Sequence, residues 1–126
     1  MKYDAFETAA WHAWRRVPAE YKEGVDRLLI ERDARIHPEE PGVYTLGECI
    51  TESYPSTFDG PENIRSSVVL YYGSFLRLSR DDPSFDWNHE LWETLTHELQ
   101  HHLEGLASDD TLLDFDYAVD QNIKRL

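Results

Sequence analysis

The stretch Trp92–Asp110, WETLTHELQHHLEGLASDD, constrains this chain more than any other. Counted from Leu91, the residues Trp92, Leu95, Leu99, Leu103 and Leu106 fall within a stripe about 120° wide on a helix, which predicts one face buried against a core. His97, Glu98 and His101 lie on the other side and spell H-E-x-x-H. On a helix His97 and His101 stand about 40° apart around the axis and about 6 Å apart along it. Two imidazoles so placed can grip one zinc ion. Glu98, turned about 60° from His101, can touch a water beside that ion. This is the arrangement of zinc hydrolases: two histidine ligands and a glutamate general base. The bland reading is a solvated polar face, because Glu90, Glu93, Thr94 and Glu104 share that side and Glu93–His97 is an ordinary i,i+4 pair.

A zinc site that does chemistry takes three protein ligands and keeps one position open. The sequence restricts the third. Glu104 is the one glutamate after Glu98, and it lies too far along the axis; no histidine follows His102, and Met1 is the sole methionine. What remains is aspartate. Gly105 predicts a helix end in the left-handed conformation, after which a short loop returns Asp109 and Asp110. His102 points with Leu95 and Leu106, toward the core.

These residues resemble the small bacterial zincin-like metallopeptidases, sometimes called minimal zincins, whose pattern is close to H-E-x-x-H-H-x-G-x-x-D. THELQHHLEGLASDD carries the strongest likeness. Upstream, Phe6-Glu7 resembles the opening of the family's first helix, Val17-Pro18-Ala19-Glu20 its close, and Ser67–Gly73, SVVLYYG, the family's I-x-L-Y-R-G strand. The resemblance implies His97 and His101 as metal ligands, Glu98 as the catalytic base and Zn2+ as the cofactor. After His102 the spacing is longer than the family's. Asp109 is therefore the first choice for the third ligand and Asp110 the second.

At 126 residues the chain reads as one domain, 1–126, with a modest core. A net charge of −13, with scattered arginines and no basic stripe, argues against a nucleic-acid partner and against an anionic membrane surface. Cys49 is the single cysteine, so no internal disulfide and no cysteine zinc knuckle forms. The N-terminal MKYDAFETAA has no apolar run, so it does not read as a signal peptide, and nothing approaches a membrane span. The expected location is the cytoplasm.

Spacing predicts a helix over 4–16, capped by Asp4 and closed by Pro18, then a connection over 19–24 with room for one helical turn. Strands are expected over 25–36, 43–50 and 64–72, with a turn at 37–42 and an irregular loop over 55–61. A short helical turn over 73–78 and a loop at 80–83 come before the metal helix, which Asp86 or Asn88 caps. Residues 112–126 read as an amphipathic C-terminal helix. The fold class is α+β: a short mixed sheet packed by an N-terminal helix, the H-E-x-x-H helix and a C-terminal helix. In zincin folds the sheet's edge can hold an extended peptide, and strand 64–72 or 43–50 is the expected edge. Tyr71 or Tyr72 is placed to steady an oxyanion.

Together these readings predict metal-dependent hydrolysis of a peptide bond in a peptide or protein substrate, with Glu98 moving the proton. The alternative is a zinc- or peptide-binding module of the same fold without catalysis.

Overall fold

The computed structural model describes residues 1–54 and 63–106, together with Phe115 and Val119. Helix α1 (Tyr3–Arg16) leads through a 3-10 turn at Ala19–Tyr21 into β1 (Val25–Glu31). Two short strands, β2 (Arg35–Ile36) and β3 (Tyr44–Thr45), precede β4 (Gly47–Tyr54) and β5 (Asn63–Tyr71). Helices α2 (Tyr72–Asp81) and α3 (Trp87–Leu106) follow.

The main sheet has the order β1-β5-β4. β5 runs parallel to β1, with Leu28 opposite Val68 and Ile30 opposite Leu70. It runs antiparallel to β4, with Gly47 opposite Leu70 and Thr51 opposite Ser66. Alternation along β5 sends Val68 and Leu70 to one face and Val69 and Tyr71 to the other. On the first face Phe6, Ala10 and Ala13 of α1 meet Leu91, Trp92, Leu95, Leu99 and Leu103 of α3 in one core. Phe75 of α2 extends that core, tilted against Phe6, edge-on to Phe85 and stacked on Trp87. Phe115 packs edge-on against Tyr21 at 5.3 Å, and both it and Val119 are helical. The rest of the expected C-terminal helix lies outside the described residues.

Several expectations are corrected. Lys2, not Asp4, is the N-cap of α1, and Asp4 sits in the first turn, where its charge still favours the helix. The strand expected over 25–36 breaks after Glu31. There the chain bends around the start of α2: Gly73 lies directly against the backbone of Asp33 and Ala34, and Ser74 Oγ accepts a 2.9 Å hydrogen bond from the Arg35 amide. The strand expected over 43–50 divides at Leu46, whose carbonyl accepts the Tyr71 amide at 2.9 Å. Its first part pairs with β2, and its second runs on to Tyr54 along β5. Tyr72 opens a ten-residue helix that takes in Arg80 and Asp81, which local sequence had assigned to a loop. Gly105 does not end α3, which continues to Leu106; among the described residues the left-handed glycines are Gly24 and Gly42, the latter in the expected 37–42 turn. Asp86 does cap α3, accepting the His89 amide at 3.2 Å. No described helix is long and apolar enough to cross a membrane.

Candidate metal centre and cleft

Burial of Leu91, Leu95, Leu99 and Leu103 fixes the rotation of α3, so His97 and His101 emerge at the surface together. Their Nε2 atoms face each other at 3.0 Å, with the rings near perpendicular and their centroids 4.6 Å apart. Two nitrogens holding one tetrahedral zinc stand about 3.3 Å apart, given metal–nitrogen bonds of about 2.0–2.1 Å. The observed separation fits one shared ion. The other ring nitrogen of His101, Nδ1, lies 3.7 Å from the exposed Glu104 carboxylate, beyond hydrogen-bond distance.

Glu98 points elsewhere. It is 8% exposed, between α3 and β4. The backbone of β4 passes close because residue 47 is glycine. A Cβ there would lie 2.8 Å from Thr94 Cγ2, 3.0 Å from the Val69 carbonyl oxygen and 3.3 Å from Glu98 Cγ. Burial pushes the Glu98 carboxyl above the usual carboxylate range; His101, His97 and the Cys49 amide, which donates to it, pull the other way, and Glu48 adds to the rise. A carboxyl so raised is a better proton acceptor once ionised. His97, Glu98 and His101 each offer a ligand atom, all within 4.8 Å of one another.

Beside them opens a cleft of about 630 Å³, walled by Tyr44, Leu46 and Gly47 on one side and Glu93, Thr94, His97 and Glu98 on the other. Among the described residues β4 pairs only with β5, which leaves its other edge unpaired, and Gly47 at its start lines this cleft. β5 pairs on both sides, which removes strand 64–72 as a peptide-accepting edge.

Neither Tyr71 nor Tyr72 reaches the cleft. Tyr71 lies on the other face of the sheet, with Arg35, Ile50 and Val69. Tyr72 donates its hydroxyl to the Met1 carbonyl at 2.6 Å. Among the described residues the tyrosine lining the cleft is Tyr44, which sequence reasoning passed over. Gly47 was also passed over, although a glycine inside a strand pattern signals close backbone approach. His102 is on the core side, 1% exposed. Its Nδ1 lies 2.6 Å from Ser66 Oγ and its Nε2 2.7 Å from the Glu23 carbonyl. Ser66 Oγ in turn bonds Thr51 Oγ1 at 3.0 Å, so β4, β5 and α3 are tied together one residue from His101. Asp109 and Asp110 lie outside the described residues.

The sequence profile of the zincin-like metallopeptidases matches residues 19–118. No curated protein matches the chain. Three chains of solved structures do. One, described as a conserved hypothetical protein from Thermus thermophilus, is 38% identical and superposes with a TM-score of 0.70, covering 83% of this chain and 96% of its own. With the paired histidines and buried glutamate of α3 beside the sheet, the family match settles the assignment: this chain belongs to the zincin-like metallopeptidase family.

Proposed function

We propose that the protein is a zinc-dependent peptidase in which Glu98 is the general base. The observation that carries this reading is the division of labour along one turn of α3. Two exposed imidazoles converge at 3.0 Å, while the carboxylate between them in sequence is buried against the edge strand and opens on the cleft. His97 and His101 would hold the ion, with Asp109 or Asp110 as the third ligand. When bound, the ion supplies Lewis acidity toward a water molecule and toward the carbonyl oxygen of the peptide bond.

The chain's own groups do the rest. An extended peptide adds to the outer edge of β4 through main-chain hydrogen bonds. That pairing lays its backbone along Gly47, where the missing side chain leaves Glu98 accessible from the cleft. Glu98 accepts the proton of the attacking water and returns it to the departing amine. The Cys49 amide, donating to the Glu98 carboxylate, steadies its ionised form. The Tyr44 ring walls the opposite side of the cleft.

Two variants test the assignment. His97→Ala should lose the zinc that copurifies with the parent, measured by elemental mass spectrometry after dialysis against a weak chelator. Glu98→Gln should keep the zinc and lose hydrolysis of a fluorogenic peptide pool by at least about a hundredfold. Hydrolysis retained in a verified Glu98→Gln protein would refute the role given to Glu98.

A further inference from the structure

α3 carries one short pattern twice. His89-Glu90-Leu91 and His97-Glu98-Leu99 stand eight residues apart, and the fifth position of each copy is another group able to bind a metal, Glu93 in the first and His101 in the second. Eight residues advance a helix by about 12 Å and turn it by about 80°, so the two copies cannot share an ion. They do share the cleft, since Glu90 and Glu93 line it along with His97 and Glu98.

The first copy has ligand geometry of its own. His89 Nε2 lies 3.2 Å from Glu93 Oε1. Glu90 completes the group, and the three ligand atoms all fall within 4.8 Å of one another. The nitrogen–oxygen distance is close to the roughly 3.3 Å that two ligands of one tetrahedral ion would show. We propose that His89, Glu90 and Glu93 form a second divalent-cation site in the same cleft. The imidazole selects zinc or a similar transition metal over magnesium and calcium, which prefer all-oxygen sites. The site is the weaker of the two: it has one histidine instead of two, and the side chains of His89 and Glu93 are 41% and 52% exposed. An imidazole and two carboxylates carry two negative charges, which a divalent ion cancels. Rising zinc therefore changes this wall of the cleft from anionic to neutral. The second site is independent of the peptidase reading.

Zinc alone is the probe, titrated by calorimetry into the full chain and checked by equilibrium dialysis with elemental analysis. The parent should show two binding steps. His89→Ala and Glu93→Gln should each weaken the second step at least tenfold and leave the first in place, while His97→Ala should remove the first and leave the second. Both altered side chains are exposed, and circular dichroism verifies that α3 remains helical. A parent that saturates at one ion would overturn the proposal. So would a second step of unchanged affinity in both variants. A remote charge control, Glu39→Gln with Glu40→Gln, should leave the second step alone; equal weakening there would show that net charge, not this site, binds the ion.

Discussion

Replacing Ser66 by alanine removes one oxygen from the junction of α3, β4 and β5, and the structure says how much that should cost. Ser66 is 1% exposed and holds two partners, His102 Nδ1 at 2.6 Å and Thr51 Oγ1 at 3.0 Å. A carbonyl oxygen can only accept, so the 2.7 Å contact to Glu23 puts a proton on His102 Nε2. In the neutral ring Nδ1 then accepts from the Ser66 hydroxyl, and Ser66 accepts from Thr51. After the substitution Thr51, an exposed residue, can turn its hydroxyl to water. His102, 1% exposed, cannot. The loss is therefore dominated by one stranded buried nitrogen, about 2 kcal/mol within the usual 1–3 kcal/mol. For a domain of this size that lowers the melting temperature by on the order of 8 °C. Urea unfolding of the metal-free protein, followed by tryptophan fluorescence, measures it. The double variant Ser66→Ala with His102→Leu supplies the control. Its cost should fall short of the sum of the singles by about 1–2 kcal/mol, because the nitrogen that Ser66 satisfies is gone. A single variant within about 0.5 kcal/mol of the parent, or strictly additive singles, would refute this account of the junction.

Three further outcomes follow from the same geometry. Burial raises the Glu98 carboxyl in the folded metal-free protein, so folding favours its protonated form relative to the unfolded chain. That contribution is fully present below the ordinary glutamate range and is lost as pH rises through the raised value. Glu98→Gln should therefore stabilise the metal-free protein near pH 7, with the gain fading toward pH 4; a difference in urea midpoint that is flat across pH would contradict it. Gly47→Ala puts a methyl 2.8 Å from Thr94 Cγ2 and 3.3 Å from Glu98 Cγ. It should cost about 1–3 kcal/mol by overpacking and reduce peptide turnover by roughly a hundredfold through displaced Glu98, which paired unfolding and kinetic measurements would separate. Gly73→Ala drives its methyl into backbone alone, 2.7 Å from the Asp33 carbonyl carbon and 2.9 Å from Ala34 Cα. Backbone cannot swing aside as a side chain does, so the loss should be about 3 kcal/mol or more, read as a fall in expression and in melting temperature.

Residues that act within one helix were legible in the sequence. The apolar spacing from Leu91 to Leu103 fixed the rotation of α3, and with it the joint emergence of His97 and His101. What sequence could not supply was the neighbour of each segment. Strands 25–36 and 43–50 read as continuous because alternation carries no trace of Ser74 capturing the Arg35 amide, or of Leu46 turning its carbonyl to Tyr71. The raised Glu98 carboxyl depends on β4 lying against it, which the motif does not encode. Tyr71 and Tyr72 looked apt as neighbours on one strand, but β5 ends at Tyr71, on the sheet face away from the cleft, and Tyr72 already belongs to α2. Gly105 carries the residue type of a helix terminator, yet the helical bonding of α3 runs past it.

The anchoring of α3 has a thermodynamic consequence. Leu91, Leu95, Leu99 and Leu103 hold the helix in the core over about three turns, and none of that burial depends on an ion. The histidine pair is thus presented by a scaffold already folded. A metal bound there would act as a ligand obeying mass action, adding stability that grows with the logarithm of its free concentration. Small zinc domains, which fold only as they bind, are the opposite case. On the proposed reading one ion would exchange for another without unfolding the protein, and the metal carried would reflect supply in the surroundings as much as the preference of the site.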